Sequence, residues 1–251
     1  MTVMNPSPAT VNGTVRHHSR FADLSDQAPP PSCPRPGAGP EAVKSILKGM
    51  ANALGLAIAA LPALTCWVEA RCPGRDGLFL FWGQAFAVVP GLPGKYLRKC
   101  FYFLTLRSCS LRCDIGFLSY FSDRRSEVGR GAYVGCGVSV GLASLGDGCL
   151  VGNRACILNG GWQHAPGPDG RLTPFDPSLA RRVQIGEETW IGEGAIVMAD
   201  VGSRCIIGAG SVVSVSVPDG CLVAGNPARF LRRLVEHAPV QPETQPQGPP
   251  P

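Results

Sequence analysis

The sequence predicts a mainly β fold, a solenoid of short strands and tight turns preceded by an apolar helical segment. A six-residue pattern carries the first part: an aliphatic, a Gly, two loose positions, a small residue and one more loose position. It runs through Val128-Gly129, Val134-Gly135 and Val140-Gly141, slips by one residue to Leu145-Gly146 and Val151-Gly152, and reaches Ile157. It resumes at Ile185-Gly186, Ile191-Gly192 and Val197, then at Val201-Gly202, Ile207-Gly208 and Val213. Single matches to such a pattern are common by chance, whereas about a dozen in near register mark an internal repeat whose units bury their core only against neighbours. The second observation is a long uncharged run upstream of the repeat. The third is composition: Gly (32) and Pro (24) are high, with many prolines in the two tails and many glycines in the second half.

Strand side chains alternate faces with period two, so the residue two before each aliphatic points the same way as that aliphatic. The resulting pairs are Ala132/Val134, Val138/Val140, Cys149/Val151, Ala155/Ile157, Thr189/Ile191, Ala195/Val197, Cys205/Ile207 and Ser211/Val213. One large and one small residue per side fill a narrow prism. Cys149 and Cys205 therefore read as small core residues. The Gly after each aliphatic is assigned to the turn, where positive φ is cheap only for Gly.

Residues 1–40 and 239–251 are Pro-rich and polar, and are expected to be disordered tails. Residues 41–110 form the apolar, helical N-terminal segment, 111–228 the β-helix domain and 229–238 a C-terminal helix. Within the apolar segment Ala51 to Val68 carries no charge, with Lys44 and Lys48 before it and Glu69 and Arg71 after it. As a helix it would span about 27 Å, close to the roughly 30 Å of a bilayer interior. With Leu78 to Val89 it reads either as a membrane-dipping hairpin or as two buried helices packed on the next domain. Lys95 to Arg107 reads as an amphipathic helix, to lie at a lipid surface or against the end of the solenoid.

A net charge of +5 with scattered Arg pairs and no aromatic-interleaved basic stripe argues against nucleic acid as a partner. Cys109 and Cys113 lie four apart without a neighbouring His/Cys cluster, so no metal site is expected. The 11 cysteines are odd in number and no signal peptide opens the chain, which favours a reducing compartment.

Three motifs carry a family resemblance: V-x-I-G-x-x-x-W-I-G-E-G-A-I-V (Val183 to Val197), I-I-G-A-G-S-V-V (Ile206 to Val213) and V-P-x-G-x-L-V-A-G-N-P-A-R (Val217 to Arg229). From about Ile115 to Leu234 the chain resembles hexapeptide-repeat acyltransferases: the galactoside, maltose and polysaccharide O-acetyltransferases and serine acetyltransferase. The resemblance implies left-handed coils, a homotrimer, acetyl-CoA in a groove between subunits, and no metal. It implies transfer of an acetyl group to a hydroxyl of a sugar or polysaccharide precursor. It further implies that Trp190 lines the groove, that Ala209 and Gly210 meet the pantetheine amides with Ser214 nearby, and that Arg229 and Arg232 meet the nucleotide phosphates. Three apart on a helix, those two arginines would share one face.

Family members take their general base from a His on a loop leaving the coils. Residues 159–182 interrupt the repeat, and His164 is the one His there. In the galactoside branch the base comes sooner, near Gly161; the polysaccharide branch often has two loop histidines, and Trp162 stands where the earlier would be. Asp169 and Asp176 are further polar loop residues. The departure at Trp162 keeps a non-catalytic trimeric scaffold open as the alternative. A serine O-acetyltransferase is a further one, although residues 44–92 do not resemble that enzyme's N-terminal domain. The apolar N-terminal half suggests a carbohydrate acceptor carried on lipid, met at the cytoplasmic, inner face of the plasma membrane.

Overall fold

The computed structural model describes residues 41–72, 76–160, 164, 167, 169, 171–173 and 179–234. The expected tails, Trp162, Asp176 and His237 lie outside them.

The repeat folds as parallel coils, each side a short strand. The first coil holds β1 (Ser108–Cys109), β2 (Asp114–Ile115) and β3 (Tyr120–Phe121); the second, β4 (Glu127–Val128), β5 (Tyr133–Val134) and β6 (Ser139–Val140). The third holds β7 (Ala143–Leu145), β8 (Leu150–Val151) and β9 (Cys156–Ile157); the fourth, β10 (Val183–Ile185), β11 (Trp190–Ile191) and β12 (Ile196–Val197). The fifth passes an isolated bridge at Val201 into β13 (Ile206–Ile207) and β14 (Val212–Val213). A last partial turn runs from the bridge at Val217 into β15 (Cys221–Ala224), and β16 (Arg229–Arg233) follows. Corresponding strands stack into three sheets, in the orders β1-β4-β7-β10, β16-β15-β13-β11-β8-β5-β2 and β14-β12-β9-β6-β3. Three sheets around one axis make a triangular prism.

All eight large–small pairs read from the repeat are buried inside this prism. Burial pushes the Cys149 thiol up to about 12, so it stays protonated and packs as a small apolar group. The first coil repeats the arrangement with Cys113/Ile115 and Ser119/Phe121, all inward and buried.

The Gly after each aliphatic has another role than the one expected. Positive φ falls two residues later, at Gly131, Gly137, Gly148, Gly194 and Gly210, and at Leu118, Arg154, Glu188 and Arg204 where no Gly is available. The earlier Gly sits where the next coil passes closest. A Cβ on Gly192 would lie 2.5 Å from the Ala209 nitrogen, and one on Gly186 2.3 Å from the Ser203 nitrogen. Coil spacing, not turn conformation, demands Gly there.

The expected C-terminal helix from Arg229 is not formed. Residues Arg229–Arg233 are β16, antiparallel to β15, with Ala224 opposite Arg229 and Leu222 opposite Arg232. The exposed edge of β15 offers unpaired backbone groups, and the chain satisfies them by folding back instead of starting a helix. Arg229 and Arg232 therefore do not share a helical face.

Three helices precede the coils: α1 (Glu41–Glu69), α2 (Gly77–Ala87) and α3 (Gly91–Thr105). The amphipathic segment becomes α3 and covers the open end of the first coil. There the Tyr102 hydroxyl accepts a hydrogen bond from Phe121 N at 3.1 Å, within a cluster with Phe79, Phe101 and Phe121. Arg98 is 2% exposed and donates through Nε to Ile115 O at 3.0 Å, and through one terminal nitrogen to Phe86 O at 3.1 Å and Val89 O at 2.8 Å. Side chains of α3 thus satisfy a donor and an acceptor of the first coil that have no coil beneath them.

The segment 51–68 is part of one continuous 29-residue helix with Pro62 inside it. Its far end is fastened to α3 and to the coils: Trp67 Nε1 donates to Leu104 O of α3 at 2.9 Å, and Arg124 donates to Cys66 O at 3.0 Å and to the Glu69 carboxylate at 3.2 Å. Glu69 also accepts from Leu78 N and Phe79 N, satisfying free N–H groups at the start of α2. The other side of α1 is bare and apolar: Leu47, Met50, Leu54, Ile58, Leu61 and Val68 are 49–69% exposed. By length and composition α1 is the one helix among the described residues apolar enough to cross a membrane.

Candidate active site

The coils position everything that follows. After β9 the chain leaves the prism at Asn159 and returns at Arg181, where Arg181 N donates to Asn159 O at 2.9 Å. Asn159 reaches back to the second coil, its side-chain oxygen accepting from Leu142 N, and Arg181 pairs with Asp200. Both ends of the excursion are thereby pinned to rigid coils.

His164 lies on this loop and is exposed. Its Nδ1 is 3.0 Å from the Thr173 carbonyl oxygen. A carbonyl can only accept, so Nδ1 is the donor in this contact, and the neutral tautomer that fits it has its lone pair on Nε2. Asp169 is held locally, accepting from Arg171 N at 3.1 Å, and does not orient the imidazole.

At the foot of the loop a cavity of about 510 Å³ is lined by Asn159, Gly160, Leu179, Arg181, Met198 and Ser214, among others. Sequence reasoning singled out Ser214 but not Asn159, Arg181 or Met198. The ends of the interrupted repeat were the available signal for the first two. A smaller cavity of about 240 Å³ joins Ser214 to Arg229.

The other expected cofactor residues stand elsewhere on the chain. Trp190 lies half exposed on the outside of the sheet containing β11. Register runs from Trp190 to Ile206, Leu222 and Arg232, so Trp190 and Arg232 share one outward row, three strand spacings or about 14 Å apart. Ala209 and Gly210 form the exposed corner between β13 and β14. Elsewhere in the stack some of the equivalent corner N–H groups are capped by the next coil: Arg130 N by Asp147, Cys136 N by Asn153, Ser203 N by Asp219. Ala209 N has no such cap among the described residues, because Ala224 and Gly225 follow above it. The structure joins Ser214 to Arg229, and Trp190 to Arg232, without gathering all six residues into one cavity of a single chain.

A family model described as "Bacterial transferase hexapeptide (six repeats)" matches residues 182–214. The maltose O-acetyltransferase of Clostridium difficile 630 superposes with a TM-score of 0.50 at 19% identity, over 64% of this chain and 90% of its own. Residues 182–214 thus match hexapeptide repeats, and the fold is that of a parallel β-helix. A hexapeptide-repeat containing acetyltransferase from Vibrio cholerae aligns with this chain at a TM-score of 0.47 and 19% identity, over 61% of this chain and 87% of its own. A galactoside acetyltransferase in complex with coenzyme A gives 0.46 at 17%, over 65% and 85%. No curated protein matches the sequence of this hexapeptide-repeat chain. At these identities the likeness speaks to the fold.

Proposed function

We propose that the chain is an acetyl-CoA-dependent O-acetyltransferase acting on a hydroxyl of a sugar or polysaccharide precursor, with His164 as general base. The observation that carries this reading is the Nδ1–Thr173 hydrogen bond, which leaves Nε2 ready to take a hydroxyl proton on a loop pinned to the coils. In the proposed reaction Nε2 removes the acceptor proton as its oxygen attacks the thioester carbonyl. The C–S bond then breaks, and the proton passes to the departing CoA thiolate. The uncapped Ala209 N–H suits a pantetheine carbonyl, Gly210 lets the arm pass close, Ser214 lies beside it, Trp190 offers an apolar wall, and Arg229 and Arg232 supply charge for phosphates. No step calls for a metal.

Trp190 and Arg232 lie on one outer face while Ser214 borders another, which suits a groove completed by a neighbouring copy. The exposed row Tyr133, Leu150 and Trp190 supports a homotrimer that buries this face. We place the protein on the cytoplasmic side, at the inner face of the plasma membrane, with the bare side of α1 against lipid and a lipid-linked carbohydrate as acceptor. α1 would lie along the bilayer surface, not through it, since Trp67 fastens it to α3 and Arg124 to the coils.

The test is acetyl-CoA turnover by free-thiol release over a panel of sugar acceptors. Turnover that depends on both acceptor and His164 is expected. Acetyl-CoA binding without turnover on any acceptor would put the non-catalytic scaffold ahead, Trp162 being where an earlier His would stand.

A further inference from the structure

Two cavities meet between α1, α3 and the first coil, and their chemistries differ. One, of about 510 Å³, is an apolar groove between α1 and α3 whose walls include Ala51, Leu54, Ile58, Leu92 and Leu97. The other, of about 540 Å³, is polar and carries Lys48, Lys95, Lys99 and Arg112 against the one carboxylate of Asp114. Lys48 and Tyr96 border both, so the groove opens onto the basic cavity.

Two groups in this region lack the partners their burial demands. Lys99 is 6% exposed, and burial lowers its amine below the ordinary lysine value. Lys95 holds Asp114 at 2.8 Å, whereas Lys99 Nζ lies over the Tyr96 ring, 4.2 Å from its centroid, and shares the attraction of that same carboxylate without an ion pair of its own. One carboxylate among Lys48, Lys95, Lys99 and Arg112 leaves cationic charge in excess, and a buried cation that shares its anion is costly unless a further anion fills the place. The second is the Asn52 side-chain oxygen, which is buried and accepts no hydrogen bond. It calls for a donor such as a hydroxyl.

We propose that these cavities together bind one anionic phospholipid with a hydroxyl-bearing headgroup, of the phosphatidylglycerol class, its phosphate among Lys48, Lys99 and Arg112 and one chain in the groove. Charge complementarity selects the head: an excess of cations beside an acceptor lacking a donor matches a phosphate ester carrying hydroxyls. Continuity selects the tail, because the groove opens on the bare apolar side of α1. The proposal builds on the membrane placement above and is independent of the acyl-transfer reading.

Flotation of the full chain with vesicles tests it. Phosphatidylcholine vesicles are compared with vesicles containing about 30 mol% phosphatidylglycerol. The variants are Lys48→Gln/Lys99→Met and, for the groove, Leu54→Asn/Ile58→Asn. Wild-type binding is expected to be about 10- to 30-fold tighter to the anionic vesicles, the scale set by two lysines at a lipid surface. The lysine variant should lose that preference to within about 3-fold while keeping its binding to neutral vesicles. It should melt no lower than wild type, since it removes a buried charge. The groove variant should bind both vesicle types more weakly. Equal wild-type binding to both would overturn the site while leaving the membrane placement standing. Binding to neither would overturn both. A lysine variant that keeps the full preference would show that other charges create it and would overturn the assignment. Soluble glycerol 1-phosphate that displaced the protein better than matched salt would assign the cavity to a free anion and overturn the lipid.

Discussion

Replacing Arg98 with Met removes the cap on the first coil while keeping most of the side-chain volume. Arg98 donates to four carbonyls at 2.8–3.4 Å, of which Ala87 O also accepts from Leu118 N at 2.8 Å. Phe86 O keeps a backbone donor, Val89 N at 3.3 Å, so it is not orphaned. Ile115 O and Val89 O have no other donor among the described residues. Two buried carbonyls left unsatisfied cost about 1–3 kcal/mol each, or roughly 2–6 together. Relief of the guanidinium's own burial offsets part of this, for burial already lowers its proton affinity and no carboxylate pairs with it. The net expectation is a loss of about 3 kcal/mol in unfolding free energy. Arg98→Lys keeps the charge but not the fork that spans separate carbonyls, and should lose about half as much. Urea unfolding followed by circular dichroism, in mild detergent to shield α1, measures both. A loss under about 1 kcal/mol for Arg98→Met would refute the claim that this side chain satisfies the coil's open end.

His164→Ala should lower kcat by about 10²–10⁴-fold with acetyl-CoA affinity nearly kept, whereas Arg229→Ala should raise the acetyl-CoA KM and spare much of kcat; steady-state kinetics separates the two. Gly192→Ala should destabilise far more than Gly194→Ala in thermal melts, because its Cβ would lie 2.5 Å from the next coil's backbone while that of Gly194 meets nothing within 4 Å and costs only left-handed strain, about 1 kcal/mol. Burial would raise the Glu69 carboxyl, but the Leu78 and Phe79 N–H groups and Arg124 outweigh it and hold the carboxyl below its ordinary value of 4.5. A depressed folded value means stability present above the unfolded value and lost as pH falls through the folded one, so the melting points of wild type and Glu69→Gln should differ most near neutrality and converge once acidification has passed below the ordinary carboxyl value and through the depressed one. In native protein iodoacetamide should label exposed Cys72 and Cys136 and spare buried Cys149 and Cys221, read by mass spectrometry.

The prism was legible wherever side-chain alternation alone decides burial, which is why the pairs from Ala132/Val134 to Ser211/Val213 all point inward. The first coil was harder to read. Leu118 takes the positive-φ place where several later coils put Gly, and Phe121 replaces the usual aliphatic, so only the side with Cys113 and Ile115-Gly116 keeps the pattern. The role of the repeat Gly was misplaced because one sequence shows which residue is small but not what approaches it. Arg229 to Arg233 looked helical because local spacing carries no information about the unpaired edge of β15. His164 was visible as a loop histidine, but its protonation pattern depends on Thr173, nine residues on, and no sequence rule links the two. The basic cavity was invisible: Lys48, Lys99 and Arg112 are distant in sequence and meet only because α1 and α3 fold onto the first coil.

The closure of the stack at both ends bears on self-association. A pile of parallel coils whose last layer kept its backbone groups free would be a template for another molecule to continue, layer upon layer, into a filament. Here Tyr102 and Arg98 occupy one terminus with side chains, and β16 covers the other in the reverse direction. An incoming coil would find its polarity wrong at one end and the seats taken at the other. Growth along the axis is disfavoured at both of these places, which leaves the flanks of the prism as the faces open to association.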